Sequence, residues 1–226
     1  MNILQMYTKS TNQLLKMQHR GLIIFIKNKE KGKVKTRLAA TVGDDEALRI
    51  YGQLLELTRA VSTESKTNRY VYYSSHLEEN DDWQTPIFQK RVQLGEDLGA
   101  RMCNAFETVI QQHQYAVIIG SDCAALNAQI IEQAFDALTT NDLVIGPAFD
   151  GGYYLLGMKQ LHANLFQDIV WSTETVLRDT LLQAQKMDLS VHQLPILSDI
   201  DNETDWNNYL KTNQESTQNR TYPSKK

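Results

Sequence analysis

Short apolar runs alternate along the chain with longer segments in which apolar residues recur every three to four positions. The runs are rich in Val, Ile and Tyr, and they predict strands at residues 22–27, 69–74, 87–94, 115–120, 143–146, 153–158 and 191–194. The helical period predicts helices at residues 44–61, 97–112, 127–138 and 172–187, and a short closing helix after residue 205. This βαβα order is typical of an α/β fold, a mostly parallel sheet covered by helices on both faces.

The length of 226 residues suits one α/β domain with one substantial core, and no repeat or linker divides the chain. Residues 1–20 are predicted to be an N-terminal extension, a weakly amphipathic helix that docks loosely. Residues 21–212 form the predicted domain. The polar residues 213–226 are predicted to be a disordered tail.

The overall charge argues against a general nucleic-acid binder, because the net charge is -4 and the pI is about 5.7. Two cysteines, Cys103 and Cys123, are too few for a disulfide framework and too far apart for a CxxC metal site. Polar residues interrupt the first 20 positions, so no secretory signal is predicted, and no apolar run approaches membrane-spanning length. We therefore expect a cytoplasmic protein. The pattern indicates no oligomeric state.

Positive charge is concentrated in the loop that follows the first predicted strand. Nine basic residues and a single acid occur before residue 38. A focused cationic loop suits a polyanionic small ligand such as a nucleotide diphosphate, and Gly32 would let the backbone approach it. The expected phosphate ligands are Lys27, Lys33, Lys35 and Arg37. A solvated lysine loop is the alternative. The spacing is not that of a Walker P-loop.

Two acidic segments follow later strands and could bind a metal ion. Asp122 follows the most apolar strand, and Mg²⁺ favours a few carboxylates together with substrate oxygens. A turn or cap role for Asp122 is equally open. Asp201 could supply a second carboxylate if the sheet brings it beside Asp122, and Asp199 would point to the same side in an extended chain. Alternatively, Asp201 or Asn202 caps the final helix.

Two glycine-bearing turns complete the candidate sites. Asp150 precedes two glycines, which suits either a functional loop or a tight hairpin turn, and the Tyr153 ring beside it could stack on an acceptor. The turn that contains Gly95 and Asp97 leads into a helix that carries Arg101. Its N-terminus could take an anion or a ribose hydroxyl, or it could be an ordinary capped helix start.

Six segments occur in the order shown by one bacterial family: residues 25–27 with 32–38, 93–102, 120–123, 146–157, 171–173 and 199–201. Together they resemble the glycosyltransferase-like proteins grouped as DUF2064, some of which are associated with arsenosugar biosynthesis. The resemblance implies the GT-A nucleotide-diphospho-sugar transferase fold. The first loop is similar to that of phospholactate guanylyltransferases. Family members usually continue Asp-Cys with Pro-Asp-Leu, whereas this chain has Ala124, Ala125 and Leu126, so one expected carboxylate is absent.

The resemblance implies an enzyme that transfers a sugar from a nucleotide-diphospho-sugar to a small-molecule acceptor. Asp122 and Asp201 would bind Mg²⁺ or Mn²⁺, and Lys35 with the other loop cations would stabilise the departing diphosphate.

The residues expected at the acceptor are Asp150 as the general base and Tyr153 with Trp171 as the binding surface. One alternative is a nucleotidyltransferase that joins a nucleoside triphosphate to a phosphorylated acceptor. A second alternative, motivated by Ala125, is a catalytically weakened nucleotide-binding protein.

Overall fold

The computed structural model describes residues 19–221 and the side chains of residues 19–212. The strands are β1 (Arg20–Ile26), β2 (Asn68–Tyr73), β3 (Gln89–Val92), β4 (Tyr115–Ile119), β5 (Leu143–Pro147), β6 (Tyr153–Met158) and β7 (Val191–Gln193). The helices are α1 (Thr36–Val42), α2 (Asp44–Glu64), α3 (Leu98–Ile110), α4 (Ala128–Ala137), α5 (Val176–Lys186) and α6 (Glu203–Thr221). A 3₁₀ turn covers Ala163–Phe166.

The seven strands form one sheet in the order β3-β2-β1-β4-β6-β5-β7. All neighbours are parallel except β6, which is antiparallel to both β4 and β5. The predicted mostly parallel α/β sheet is therefore confirmed, but the predicted βαβα order throughout was wrong at β5 and β6. The loop between these two strands is too short for a parallel crossover, which needs a dozen or more residues, so the two strands form a hairpin.

Apolar side chains fill both faces of the sheet, because successive residues of a strand point to opposite sides. Leu22 and Ile24 of β1 pack into one cluster with Phe135 of α4, and Ile23 packs into the opposite cluster with Phe106 of α3. A smaller third cluster joins α1, α2 and α6, and it includes the buried Ile200. That third cluster fixes the segment around residue 200 beside the sheet.

Several boundaries differ from those predicted. The helix α1 was not predicted, and β3 covers only Gln89–Val92 instead of residues 87–94. The helix α5 begins at Val176 instead of residue 172, because Ser172 has a φ of 64° and the preceding residues form turns. Its N-cap is Thr175, not Ser172 or Thr173. The predicted cap at Asn127 is confirmed by its hydrogen bond from the Ile130 N–H.

The last helix extends beyond the predicted domain limit at residue 212. Its backbone is helical to Thr221, whereas disorder was predicted from residue 213. No glycine or proline lies between residues 213 and 221, and the next proline along the chain is Pro223, so no residue there breaks the helix. The predicted extension up to residue 18 and residues 222–226 lie outside the described residues. Between residues 19 and 221, no helix is both long and apolar enough to cross a membrane.

Candidate functional site

A cleft of about 570 Å³ opens at the edge of the sheet where β1 and β4 end and β6 begins. The antiparallel direction of β6 brings its first residue, Tyr153, to the same edge as Lys27 and Asp122. Ligands of open α/β sheets bind at the carboxyl ends of strands, and this cleft occupies that position. The cleft is therefore the candidate active site.

The end of β1 is held in place by hydrogen bonds from neighbouring elements. The hydroxyl of Tyr51 on α2 accepts a hydrogen bond from the Lys27 N–H at 2.8 Å and donates one to the Lys27 carbonyl at 3.0 Å. Burial raises the pKa of Tyr51 far above its usual value, so this hydroxyl stays protonated. The buried Asn28 amide donates to the His76 carbonyl at 2.9 Å. Lys27 itself is exposed and lines the cleft.

Five acidic residues line the cleft, Glu174 and four aspartates from three separate segments: Asp122, Asp150, Asp199 and Asp201. We call the carboxylates of the four aspartates the carboxylate cluster. The segment after β7 is tied to the end of β4 by a hydrogen bond from the Ile200 N–H to the Asp122 carbonyl at 2.9 Å. Burial, followed by the negative charges of the neighbouring carboxylates, raises the pKa of Asp199 to about 7, although Lys35 opposes the shift. The cluster therefore has an excess of negative charge.

Lys35 is the buried cation of this site. Its ammonium lies 2.8 Å from Asp122 Oδ1 and 4.0 Å from Asp201 Oδ1, and it donates to the Ile200 carbonyl at 2.6 Å. Only 6% of the side chain is exposed. The backbone of Lys35 is left-handed, with a φ of 48°, which costs a non-glycine residue roughly 1–2 kcal/mol. The surrounding contacts hold this conformation and place the ammonium between the two acidic segments.

Arg37 is the second cation that contacts the carboxylate cluster. Its guanidinium donates to Asp201 Oδ2 at 3.0 Å, and its side chain is 75% exposed at the mouth of the cleft. Of the two residues predicted as alternative caps of α6, Asn202 and not Asp201 is the cap, because the Asn202 side chain accepts the Asp205 N–H at 3.1 Å. The Asp201 carboxylate is therefore directed toward the cations.

Two other cations of the first loop, Lys31 and Lys33, pair with acids away from the cleft. The Lys33 ammonium pairs with Glu30 at 2.5 Å, and the Lys31 ammonium pairs with Asp45 at 2.6 Å. Gly32, with a φ of 75°, makes a turn between these lysines. Gly32, Lys33 and the buried Lys35 are not among the residues that line the cleft, although all three were predicted at the phosphates.

The turn before α3 contributes little to the cleft surface. Asp97 caps the helix by accepting the Ala100 N–H at 2.7 Å, and the Arg101 guanidinium donates to the Gly95 carbonyl at 3.1 Å. Gly95 has a φ of 141°, and a Cβ there would lie 2.7 Å from the backbone nitrogen of Arg101. These three predicted residues form a capped helix start and do not line the cleft, whereas Leu98 does.

Asp150 lies on a loop whose shape depends on the next residue, Gly151. The Asp150 Oδ1 accepts the Gly152 N–H at 2.9 Å, and its carboxylate is exposed to the cleft. Gly151 has a φ of 86°, and a Cβ at this position would lie only 2.0 Å from the Glu174 carbonyl oxygen. Only glycine fits there, so the contact with Glu174 fixes the position of Asp150.

Among the aromatic residues that line the cleft, Tyr153 and Trp171 are the two predicted at the acceptor, and we call them the aromatic wall. The Trp171 ring stacks on Phe166 at a centroid distance of 6.4 Å and packs against Gly99, where a Cβ would lie 2.4 Å from the indole nitrogen. The Tyr153 hydroxyl donates to the Met102 sulfur at 3.9 Å. The Tyr153 hydroxyl is thus already engaged, and the ring is the part available to a ligand.

The donor chemistry of the carboxylate cluster can be tested against a divalent cation. Within the described residues, no group of three or more His, Cys, Asp or Glu side chains is arranged to hold a metal ion. Mg²⁺ needs only one or two carboxylates when substrate oxygens complete its coordination, and the raised pKa of Asp199 indicates unneutralised negative charge beside Asp122. Ala125 is exposed in a turn and does not line the cleft. The cluster therefore fits a hard cation that is shared with a ligand.

Two contributions to the site were missed in the sequence. Tyr51 lies on the buried stripe of a helix, where a tyrosine resembles any core residue, so no sequence signal marked its contact with Lys27. Asp199 was noted only as a neighbour of Asp201. The two-residue spacing of Asp199 and Asp201 placed both side chains on the same side of an extended chain and was the available signal. The closeness of Asp199 to Asp122 and Asp150 depends on the tertiary fold.

Comparison with known proteins gives a family match and one close structure. The model of the family described as "Uncharacterized protein conserved in bacteria (DUF2064)" matches residues 57–173. A candidate nucleotide-diphospho-sugar transferase from Desulfovibrio desulfuricans G20 is 30% identical, with a TM-score of 0.84 over 90% of this chain and 91% of that chain. Among curated proteins, no sequence matches.

Two more distant structures share the fold. The 4-diphosphocytidyl-2C-methyl-D-erythritol synthase from Anaerococcus prevotii DSM 20548 is 11% identical, with a TM-score of 0.55 over 88% of this chain and 98% of that chain. The inositol-1-phosphate CTP transferase from T. maritima is 12% identical, with a TM-score of 0.56 over 83% of this chain and 91% of that chain. At these identities the likeness concerns the fold alone. The predicted nucleotide-diphospho-sugar transferase fold is confirmed.

Proposed function

Because this chain belongs to the bacterial DUF2064 family and has the nucleotide-diphospho-sugar transferase fold, we propose that it is an enzyme that transfers a sugar from a nucleotide-diphospho-sugar to a small-molecule acceptor. The observation that supports this proposal most is the mixed lining of the cleft, which brings the exposed cations Lys27 and Arg37 and the carboxylate cluster together with the rings of Tyr153 and Trp171. A donor with a charged diphosphate matches the charged residues, and an acceptor with a sugar-like or ring-like face matches the aromatic residues.

The donor diphosphate binds between Lys27 and Arg37, the two exposed cations of the cleft. Asp122 and Asp201 hold Mg²⁺ or Mn²⁺, with Asp199 beside them. A divalent ion at this position supplies charge neutralisation for the departing diphosphate. The buried Lys35 ammonium lies between Asp122 and Asp201 and keeps both carboxylates in place. It also adds positive charge near the leaving group.

The acceptor binds against Tyr153 and Trp171, with its hydroxyl toward Asp150. A general base must be unprotonated and within hydrogen-bond reach of the proton that it removes. Asp150 is exposed to the cleft, and it has no ion pair among the described side chains that would compete for its second oxygen. Its rigid loop keeps the carboxylate at one position relative to the aromatic wall.

The alternative of nucleotidyl transfer keeps the fold and changes the donor, as in the T. maritima CTP transferase. The charge balance of the cleft favours the nucleotide sugar. A triphosphate carries more negative charge than a nucleotide sugar, whereas Lys31 and Lys33 are neutralised elsewhere and Lys35 is matched by Asp122. Among the described residues that line the cleft, Lys27 and Arg37 are the cations available to the phosphates, and Arg37 also pairs with Asp201. The weakened-protein alternative loses support, since Ala125 lies outside the cleft.

Thermal-shift measurements with nucleotide sugars and free nucleotides, each with and without Mn²⁺, test this proposal, because a ligand that binds only the folded state raises the Tm. We expect UDP-, GDP-, CDP- or dTDP-sugar to raise the Tm in a metal-dependent way. Asp122→Asn should remove the metal-dependent part, whereas Asp45→Asn, an acid outside the cleft, should retain it. A larger shift with GTP or CTP, followed by pyrophosphate release, would establish the nucleotidyltransferase instead. No shift with any nucleotide would refute both reactions.

A further inference from the structure

A separate pocket of about 250 Å³ lies at the edge of the sheet, between β3 and α3. It shares no lining residue with the candidate active site. Tyr72 of β2 and Arg91 of β3 are direct partners in the parallel pairing, so their side chains lie next to each other on one face of the sheet. Both side chains line the pocket.

The Tyr72 hydroxyl is buried and has no hydrogen-bond partner, while only 4% of the residue is exposed. Burial raises the pKa of this hydroxyl, and the charge of Arg91 and a side-chain contact with Thr108, which falls short of hydrogen-bond geometry, oppose the rise. The group therefore stays protonated and keeps a proton to donate. Native structures pair nearly all buried hydroxyls, so an unpaired one that lines a pocket indicates a missing acceptor.

Arg91 brings a positive charge to the same pocket. Its guanidinium lies 5.2 Å from the centre of the Tyr70 ring, and no ion pair with a carboxylate forms among the described side chains. The remaining lining is mixed: Val92, Leu94 and Ala105 are apolar, with Leu94 67% exposed, and Asn104 and Thr108 are polar. The pocket thus offers a cation and a hydroxyl donor together with an apolar surface.

We propose that this pocket binds a small organic anion that has an apolar body. Its carboxylate or phosphate oxygen accepts the Tyr72 proton and pairs with Arg91, and its body covers Leu94 and Val92. An anionic oxygen satisfies both orphan groups at once, and an arginine fork is suited to carboxylates and phosphates alike. The proposal does not depend on the proposed function, since the two sites have separate linings.

Isothermal titration calorimetry with benzoate and with phenyl phosphate tests the proposal. Benzamide, which has the phenyl ring of benzoate but no charge, is the matched control. We expect saturable binding of at least one anion and at least tenfold weaker binding of benzamide. Preference between the two anions separates a carboxylate ligand from a phosphate ligand. If neither anion binds saturably, the proposal is overturned.

Variants show where the anion binds. Tyr72→Phe should weaken binding by about fivefold and Arg91→Gln by tenfold or more. Tyr70→Phe is the control, because it removes a neighbouring hydroxyl that bonds to His113 at 2.7 Å, and it should change the affinity less than twofold. Loss of binding in Arg37→Gln with full binding in Arg91→Gln would place the anion in the active-site cleft and overturn the proposal.

A folding control accompanies these titrations. Tyr72→Phe should keep or raise the Tm, because it removes an unpaired hydroxyl, whereas Tyr70→Phe should lower it. A lowered Tm in Tyr72→Phe would show that the hydroxyl has a partner within the protein, which also overturns the proposal.

Discussion

The first loop and the carboxylate cluster carry opposite charge, and their charged side chains are arranged differently in space. In the loop, cations that are neighbours in the sequence separate in space, and Lys31 and Lys33 pair with acids outside the cleft. In the cluster, acids from three distant segments meet, and burial together with the charges of the neighbouring carboxylates raises the pKa of Asp199 to about 7. Density of charge along a sequence therefore does not locate a site, whereas convergence of charge in the fold does.

Lys35 is the point where the two regions meet, and burial distinguishes it from its neighbours. Its side chain is 6% exposed, whereas that of Lys33 is 74% exposed. Exposed ion pairs contribute roughly 0–1 kcal/mol, but removal of one partner of a buried pair costs several times more. Variants can test whether this contrast controls stability and function.

The largest effect is expected at Asp150, the cluster member whose role is catalytic in the proposed function. Asp150→Asn keeps the size of the side chain and its hydrogen bond to the Gly152 N–H but removes the base. Turnover should fall about 10³-fold, while the affinity for the donor should change less than twofold. Steady-state kinetics and calorimetry with the nucleotide sugar measure both quantities. Unchanged turnover would remove Asp150 from the mechanism.

The next largest effect separates the two lysines. Lys35→Met leaves Asp122 and Asp201 without their buried cation, so the free energy of unfolding at pH 7 should fall by about 3 kcal/mol. Lys33→Met, the matched control, removes an exposed pair with Glu30 and should cost less than about 0.5 kcal/mol. Urea denaturation measures both variants. Equal losses would show that burial does not distinguish the two regions.

The next effect should depend on pH and arise inside the cluster. Asp199 has a pKa of about 7 in the folded protein against an ordinary value of 3.8, so the folded state binds the proton more tightly. Stability is therefore lost as the pH rises from about 4 to about 7, and the loss persists above pH 7. Asp199→Asn removes this loss and should raise the free energy of unfolding at pH 8 by at most about 4 kcal/mol, since one pKa unit corresponds to about 1.4 kcal/mol. At pH 4 the variant and the parent should be equally stable.

Urea denaturation in EDTA at pH 4 and pH 8 measures this difference without a metal ion to neutralise the cluster. Asp45→Asn, whose carboxylate pairs with Lys31 on the surface, is the control and should show a small difference at both values. If Asp199→Asn gives the same gain at both pH values, the cause is packing and not the charge of the cluster.

The fold was predictable because its signals are local. The strand at β4 has only apolar residues and is buried on both faces, and the cap at Asn127 acts within one helical turn. The hairpin between β5 and β6 was also present in the sequence, as the Asp150 turn signal, but the overall βαβα pattern outweighed it. The alternation of strands and helices therefore does not predict the direction of a strand that is joined to its predecessor by a short loop instead of a helix.

The candidate site was predictable only in part because its contacts are long-range. The end of β1, Asp122 and Asp150 were expected to meet, since the ends of strands converge at one edge of a sheet. No local pattern shows that Lys33 folds back on Glu30 while Lys35 turns inward through a left-handed backbone. The third cluster, which places residue 200 beside α1, decides this, and its members are far apart in the sequence.

The smallest effect tests how the loop contacts the donor. Arg37→Gln removes an exposed cation at the mouth of the cleft and should weaken binding of the nucleotide sugar by about tenfold, because one charge-assisted contact to phosphate is lost. Lys33→Gln removes a cation that Glu30 already neutralises, and the affinity should change less than twofold. Calorimetry at two salt concentrations measures both variants, and the Arg37 effect should shrink as salt rises. Equal effects would mean that the loop attracts the donor as one diffuse positive field, and the contrast between its paired and converging charges would have no functional consequence.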